Sequence, residues 1–213
     1  MTDLAHTDKT RERLIGAAGQ VFAEQGFRRA TIREICRRAR ANVASVNYYF
    51  GDKEKLYSEV LRYGMDATAA AYPTISGLPR GATAEQRLFS FVHSMLLRML
   101  GCSEKPDWHG QLMAREMADP STAFRGFIGE FARPLTEELE GILREILGKR
   151  AKEETVRRCR WSVFGQCMVY QHCRGVVEEL DPRQSYDIAE IERIARHITE
   201  FSLKAMKPDT EIG

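Results

Sequence analysis

Apolar residues recur at intervals of three and four along the first part of the chain, which is the spacing of amphipathic helices. Residues 9–25 carry one such stripe, formed by Leu14, Ala17, Ala18, Val21 and Phe22. Gly26 is the expected stop, because the residue after a helix often needs a positive φ angle. A second stripe predicts another helix from Ile32, with inward positions Ile32, Ile35, Cys36 and Ala39.

Polar residues at the helix starts mark the next boundaries. Thr31 and Glu34 have the spacing of a capping box, in which the hydroxyl accepts the amide of Glu34 and the carboxylate reaches back to the amide of Thr31. Asn42 is a good N-cap for a short third helix over residues 43–49. The pattern therefore predicts two short helices joined by a tight turn, with a longer helix before them.

The rest of the chain is also predicted to be helical. Asp52 caps a fourth helix over residues 53–71, and the Pro- and Gly-rich residues 72–82 form a connector. Pro134 is expected to kink or break the helix that contains it. The helices predicted after the connector cover residues 84–100, 108–117, 121–147, about 152–180, and 187–206.

The composition fits a globular all-α protein. The chain has 213 residues, with 43% hydrophobic and 29% charged residues and a mean hydropathy of −0.40. It has no alternating β pattern, no apolar run long enough for a membrane span and no apolar signal core at its start. We therefore expect a cytoplasmic protein without a membrane partner. The five cysteines lack a paired short spacing and are expected to be reduced thiols: Cys36, Cys102, Cys159, Cys167 and Cys173.

The net charge of +2 is unevenly distributed. Residues 1–60 contain 11 Lys and Arg against 8 Asp and Glu, whereas residues 61–213 contain 21 against 22. Residues 28–40 alone hold six arginines and one acid, Glu34. A basic segment this dense fits a polyanion partner, but a solvated helix face explains the charge equally well.

The N-terminal helices resemble the DNA-binding domain of the TetR family of repressors. The resemblance covers residues 9–60 and rests on FRRATIREI at 27–35, ASVNYYF at 44–50 and DKEKL at 52–56. It implies a three-helix helix-turn-helix DNA-binding domain over residues 1–52. It further implies a helical effector-binding and dimerisation domain over residues 53–213, which begins with the fourth helix.

The same resemblance assigns roles to single residues. Residues 42–49 correspond to the recognition helix, and Arg33 can reach a base edge. The chain departs from the family pattern at Arg40, where glycine is usual, and at Asn47, where tyrosine is usual. Val46 and Phe50 are expected in the core, and partial burial of Tyr49 is as good an interpretation as a phosphate contact. The expected DNA contacts are Thr31, Arg33, Asn42, Val43, Ala44, Ser45, Asn47, Tyr48, Tyr49 and Lys53.

The last two predicted helices indicate self-association. The final helix has a nearly heptad stripe that begins at Ile188, and the helix of residues 152–180 is apolar on more than one side. One face can pack within the subunit and another against a second copy, as in TetR-like dimers; the alternative is a monomeric core helix. A two-fold dimer would read a near-palindromic operator with half-sites about 34–36 Å apart or a multiple of that.

The C-terminal half is similar to the CecR-like branch of the family at residues 112–121 and 165–173. Bulky residues on the helices predicted between residues 84 and 180 suit a small-molecule effector site, although each is also a reasonable core residue. Arg115 and Glu116 can alternatively form a structural ion pair. The expected effector contacts are Met95, Met99, Trp108, Gln111, Leu112, Arg115, Phe127, Phe131, Phe164, Met168, Gln171 and His172.

The residues offer little for catalysis. Cys167 and His172 are five apart and do not share a helix face, and Cys159, Cys173 and His109 lack a paired zinc signature. We expect no enzyme activity, no metal and no cofactor. A transcriptional repressor that a small molecule releases is the main hypothesis; the alternatives are an activator, a thiol-based redox sensor, and a helical enzyme or ligand carrier that does not bind DNA.

Overall fold

The computed structural model describes residues 2–75, 77–101 and 108–206, with side chains from residue 9 onward. Over these residues the protein is helical and has no strand, which confirms the predicted all-α class. The helices are α1 (Thr2–Arg29), α2 (Ile32–Ala39), α3 (Val43–Tyr49), α4 (Lys53–Ala71), α5 (Ala84–Leu100), α6 (Trp108–Ala118), α7 (Thr122–Leu147), α8 (Glu153–His172), α9 (Arg174–Leu180) and α10 (Ile188–Ala205). No helix of the described residues is long and apolar enough to cross a membrane.

The helices form two compact units. The N-terminal unit comprises Met1–Thr68 and Lys105–Phe131, and the C-terminal unit comprises Ala69–Glu104 and Ala132–Gly213. Each unit has its own apolar core. The N-terminal unit thus includes α6 and the first part of α7 together with the helix-turn-helix segment. The predicted division into residues 1–52 and 53–213 concerns function and stays a prediction.

The core of the N-terminal unit follows the predicted stripe of α1. Leu14, Ala18 and Phe22 are fully buried. Gly26 departs from helical geometry inside α1, with φ 74° and ψ 164°, which confirms its expected role as a stop for the helical run. Residues 27–29 form a further helical turn, so α1 consists of two helical runs joined by a kink at Gly26.

The turn between α2 and α3 is closed by local hydrogen bonds. Arg40 ends α2 in the left-handed region, with φ 51° and ψ 48°, and is the one residue other than glycine with a positive φ among those described. The amide of Ala41 donates to the carbonyl of Cys36 at 2.9 Å. The Asn42 side chain accepts the amide of Ala44 at 2.9 Å, which confirms the predicted N-cap.

The core of the C-terminal unit is built from α5, the later part of α7, α8 and α10. Phe91, Leu139 and Ile191 are each 0–1% exposed in this core. Thr83 and Gln86 form a complete capping box at the start of α5. The side chain of Asp187 accepts the amide of Glu190 at 2.9 Å and so begins α10.

Two predicted features of the C-terminal half differ in the structure. α7 continues through Pro134, so the predicted break does not occur, and the predicted kink stays a prediction. Phe131 and Leu135, on either side of Pro134, pack against apolar cores. The single helix predicted over residues 152–180 divides at Cys173, which has φ −105° and ψ 19°. α9 is a separate short helix with no fully buried residue.

Candidate DNA interface and effector residues

The predicted recognition helix α3 presents most of its residues to solvent. Val43 is 44% exposed and Tyr48 is 79% exposed, whereas Val46 is fully buried and anchors the helix, as predicted. The other predicted contacts on this helix are exposed or half-exposed: Asn42, Ala44, Ser45 and Asn47. A helix with one buried anchor and a solvent-exposed outer face has the form needed to enter a major groove.

The aromatic residues at the end of α3 differ in burial. The rings of Tyr48 and Tyr49 meet edge to face, with centroids 4.9 Å apart. Phe50 is buried, as predicted, and the guanidinium of Arg11 lies 5.6 Å from the centre of its ring. Tyr49 is half-buried and packs against the core of the N-terminal unit. This burial leaves a phosphate contact by Tyr49 as a prediction.

Thr31 and Arg33 lie at the start of α2. The hydroxyl oxygen of Thr31 accepts the amide of Glu34 at 3.2 Å, so the hydroxyl proton stays available to a phosphate oxygen. Arg33 is exposed and makes no ion pair with any described residue. Both side chains therefore have the free donors that their predicted roles require.

Only half of the predicted capping box at α2 forms. The carboxylate of Glu34 does not reach back to Thr31; it receives hydrogen bonds at 2.8 Å from Arg37 and Arg38. Both partners are charged in these bonds, whereas a bond to the Thr31 amide has only the carboxylate charge, so the arginines are the stronger partners. Hydrogen bonds from Arg37 and then Arg38 lower the pKa of Glu34 from 4.5 to about 2.

Ion pairs compensate part of the basic segment 28–40. Arg38 also binds Glu24, at 2.7 Å, so Arg37 and Arg38 both have acidic partners. The other four arginines are exposed and make no ion pair among the described residues: Arg28, Arg29, Arg33 and Arg40. The charge that remains for a polyanion therefore lies at the end of α1 (Arg28 and Arg29), within α2 (Arg33) and at the end of α2 (Arg40).

Lys53 is held within the N-terminal unit. Its ammonium donates to the carbonyl oxygens of Phe27 at 2.9 Å and Ala30 at 3.0 Å, and it lies 4.5 Å from the centre of the Phe27 ring. Lysine has three N–H donors, so one remains for a phosphate. The predicted phosphate contact of Lys53 stays a prediction, and the structure adds a packing role that the sequence did not indicate.

Sequence reasoning missed a buried hydrogen bond between α4 and α6. The hydroxyl of Tyr57 donates to Glu116, whose other carboxylate oxygen accepts the amide of Ser121 at 2.8 Å. Glu116 is 3% exposed. The ion pair considered between Arg115 and Glu116 is not formed; Arg115 donates instead to the carbonyl of Glu24 at 3.2 Å. No signal in the sequence links residue 57 to residue 116, because the contact depends on tertiary packing.

The predicted effector residues are divided between the two units. Those of the N-terminal unit are Trp108, Gln111, Leu112, Arg115, Phe127 and Phe131. Those of the C-terminal unit are Met95, Met99, Phe164, Met168, Gln171 and His172. Leu112, Phe127 and Phe164 are buried core residues, and the ring nitrogen of His172 lies 3.1 Å from the carbonyl of Met168. Their part in effector binding stays a prediction.

Trp108 has a structural role that the sequence did not indicate. A Cβ atom on Gly19 of α1 would lie 2.5 Å from the indole of Trp108, closer than van der Waals contact allows. The absence of a side chain at position 19 therefore lets α6 approach α1.

Apolar side chains remain exposed on the helices predicted to form a dimer. Trp161 of α8 is 58% exposed, and Phe201 of α10 is 57% exposed. Four further apolar residues of α8, α9 and α10 are exposed: Val169, Val176, Leu180 and Ile188. An exposed apolar set of this kind is typical of a surface that another chain covers.

The described cysteines differ in burial. Burial raises the pKa of the Cys167 thiol to about 12, so this thiol stays protonated at neutral pH. Cys173 is exposed at the end of α8, and Cys102 lies outside the described residues. The part of the chain that the structure describes holds no cluster of three or more His, Cys, Asp or Glu suited to a metal ion.

The fold and the exposed outer face of α3 thus define a helical protein with an N-terminal helix-turn-helix segment. The profile of the tetR family of bacterial regulatory proteins matches residues 14–60. The profile described as the C-terminal domain of the HTH-type transcriptional dual regulator CecR matches residues 84–206, more than half of the chain. The chain belongs to the TetR family of transcriptional regulators, and its C-terminal part belongs to the CecR C-terminal domain family.

Individual relatives support the same family. The transcriptional dual regulator CecR of Shigella flexneri is 25% identical over 177 residues, which are 77% of this chain and 76% of that protein. The transcriptional repressor NicS of Pseudomonas putida is 41% identical over 56 residues, so the match spans 26% of each protein.

Two solved structures have the same fold. The regulator FadR of Bacillus subtilis in complex with stearoyl-CoA aligns with a TM-score of 0.67 at 19% identity, over 90% of this chain and 97% of that one. AibR in complex with isovaleryl coenzyme A and operator DNA aligns with a TM-score of 0.66 at 18% identity, over the same shares of the two chains. Identities this low establish the fold and not the ligand.

Proposed function

We propose that this chain is a homodimeric repressor that binds operator DNA and is released by a small-molecule effector. The observation that carries the proposal is the outer face of α3, where Val43 and Tyr48 are exposed while Val46 anchors the helix. Next to it, Arg33 and three further arginines of residues 28–40 have no acidic partner among the described residues. Together these features provide a groove-reading helix beside a basic surface.

The side chains at this surface form two groups, those that can recognise bases and those that can bind phosphates. Asn47 can pair with adenine through its amide, and Arg33 can pair with guanine through its guanidinium fork. Thr31, Tyr48, Tyr49 and Lys53 carry donors suited to phosphate oxygens, which position the protein without reading sequence. Asn42 has its amide oxygen occupied by the cap, which leaves its NH₂ group for a backbone contact.

The exposed apolar residues of the C-terminal unit support the proposal that the chain dimerises. A single helix-turn-helix reads too few base pairs for tight binding, so two copies on one duplex are needed. We propose that α8 and α10, which expose Trp161 and Phe201, form the contact with the second copy. Phe201→Arg should then sediment as a monomer at micromolar concentration, whereas the exposed neighbour variant Glu200→Gln should stay dimeric. A monomeric native protein under these conditions would contradict the proposal.

Release requires an effector that prefers a conformation unable to bind the operator, and it can shift the equilibrium only by its difference in affinity for the two states. We propose that α4 transmits this conformational change, since it carries Lys53 and Tyr57 in the N-terminal unit and continues to Ala71. The acyl-CoA ligands named for the two similar structures place acyl-CoA esters first in an effector screen.

The decisive experiment selects genomic fragments bound by the protein and measures operator affinity by fluorescence anisotropy at several salt concentrations. Arg33→Ala and Asn47→Ala should each cost about 1–3 kcal/mol on the operator and relax specificity at one position. Arg183→Ala is the matched control, because Arg183 is almost fully exposed in the loop before α10. If Arg33→Ala and Asn47→Ala lost equal affinity for the operator and for a random duplex, their proposed roles in base recognition would be contradicted. Absence of salt-dependent duplex binding would overturn the proposed function.

A further inference from the structure

The N-terminal unit contains a cleft of about 650 Å³ that shares only Arg28 and Arg29 with the proposed DNA surface. One wall is the segment Gln25–Arg29 at the end of α1, with Glu54 of α4 beside it. The opposite wall is the junction of α6 and α7, from Arg115 to Arg125. The volume lies within the range of sites that bind small molecules and cofactors, about 300–1,000 Å³.

Four arginines from three helices line this cleft, and no lysine does. Arg28 and Arg29 come from α1, Arg115 from α6 and Arg125 from α7. None of the four makes an ion pair with a described residue, although Arg115 donates to the carbonyl of Glu24. Guanidinium groups bind phosphate and carboxylate through two parallel hydrogen bonds, so the lining of the cleft is suited to an anionic ligand.

The start of α7 adds backbone donors at the same place. Thr122 and Ala123 line the cleft, and the amides of a first helical turn have no partner within the helix. The neighbouring amides are already used, since Ser121 donates to Glu116 at 2.8 Å and Phe124 donates to the hydroxyl of Ser121 at 3.1 Å. These donors supplement the arginines for an anion that lies against the α6–α7 junction.

Carboxylates in the same cleft narrow the choice of ligand. The cleft is also lined by Glu54, Glu116 and Asp119. Of these, Glu116 already accepts hydrogen bonds from the Tyr57 hydroxyl and the Ser121 amide. A duplex brings a continuous row of phosphates, which Glu54 and Asp119 would repel. A small molecule can place its phosphate on the arginines and its hydroxyl or amino donors on these two acids.

We infer that this cleft binds a phosphate-bearing small molecule of nucleotide size that also carries hydroxyl or amino donors. The site goes beyond the proposed repressor function, because it lies in the N-terminal unit and shares only Arg115 with the expected effector contacts. It does not depend on operator binding and can be tested without DNA.

The test is isothermal titration of the full chain with ADP, inorganic pyrophosphate and adenosine. ADP and pyrophosphate should bind, ADP more tightly, and adenosine should give no measurable heat. Arg125→Gln and Arg115→Gln should each weaken ADP binding about tenfold or more, since each removes a charge-assisted hydrogen bond. Arg133→Gln, an exposed arginine further along α7 and outside the cleft, should leave it unchanged.

Neither Arg115 nor Arg125 belongs to the expected DNA contacts, and Arg125 is exposed, so its replacement should not disturb folding. Circular dichroism melting of each variant checks this point. Absence of ADP binding, or the same ADP affinity in Arg125→Gln as in the native chain, would overturn the inference. A loss of duplex affinity in Arg125→Gln with an unchanged ADP titration would instead identify the cleft as a DNA backbone contact.

Discussion

The hydroxyl of Tyr57 donates a hydrogen bond to the carboxylate of Glu116, and both side chains are buried inside the N-terminal unit. The Tyr57 ring meets Phe22 edge to face at 4.6 Å and lies 4.9 Å from Phe27, whose ring is also covered by Lys53. A continuous set of contacts therefore runs from α6 through α4 to the segment before α2. This arrangement ties the position of the helix-turn-helix to the position of α6.

Tyr57→Phe removes the hydroxyl and leaves one oxygen of the buried Glu116 without its donor. We expect a loss of about 1–3 kcal/mol in the free energy of unfolding, measured by urea denaturation. Tyr63→Phe is the matched control on α4, because Tyr63 is 48% exposed and its hydroxyl can bond to water. Equal stability of the two variants would show that the buried hydrogen bond does not contribute.

Gly19→Ala should destabilise the N-terminal unit. The added methyl group would meet the Trp108 indole at 2.5 Å, so the indole or α6 must shift, at a cost of about 1–3 kcal/mol. Gly16→Ala in the same helix meets nothing within 4 Å and should stabilise the protein by up to about 1 kcal/mol through helix propensity. Urea denaturation of both variants measures the difference, and a stabilising Gly19→Ala would contradict the packing.

Arg40→Gly should stabilise the protein by about 1 kcal/mol, because Arg40 has a left-handed backbone conformation that a Cβ atom disfavours. Arg40→Ala separates this effect from the loss of charge, since alanine removes the guanidinium but keeps the Cβ. Thermal denaturation should show a gain for the glycine variant alone. A similar gain in both variants would assign the effect to charge repulsion.

Lys53→Ala should change both stability and DNA binding. Loss of the bonds to the Phe27 and Ala30 carbonyls should lower the free energy of unfolding by about 1–3 kcal/mol, measured by urea denaturation. If the remaining N–H also binds a phosphate, duplex affinity should fall for all sequences and its salt dependence should become shallower. Lys55→Ala, which removes an exposed pair with Asp52, should leave both quantities nearly unchanged. If Lys53→Ala were destabilised but the salt dependence of duplex affinity stayed unchanged, Lys53 would have a structural role only.

The ion pairs of Glu34 predict a specific acid sensitivity. Its pKa of about 2 in the folded protein lies below the ordinary 4.5, so its contribution to stability is fully present above pH 4.5 and is lost as the pH falls from 4.5 towards 2. The stability difference between the native chain and Glu34→Gln should therefore shrink over this range, measured by urea denaturation at pH 7, 5 and 3. Glu12→Gln, an exposed residue outside the described ion pairs, provides the control. A difference that stays constant from pH 7 to pH 3 would contradict the ion pairs.

Local features account for what could be predicted of the fold. The stripes of α1 and α2, the caps at Thr31, Asn42 and Asp52, and the bounds of α3, α4 and α5 depend on residues within a few positions of one another. The failures have non-local causes. α7 passes Pro134, and Phe131 and Leu135 on either side of it pack against apolar cores. α8 ends at His172, and the short α9 that follows has no fully buried residue.

The sequence by itself determined the helical class, the helix-turn-helix segment and the exposed face of α3, since periodicity and capping are properties of neighbouring residues. Tertiary structure alone decided which charges are compensated and that Lys53 binds two carbonyl groups. It also decided that Glu116 accepts a hydrogen bond from Tyr57 rather than pairing with Arg115. It also placed four arginines around one cleft. These contacts join residues up to about a hundred positions apart, and burial with hydrogen-bond geometry, rather than spacing along the chain, selects the partners.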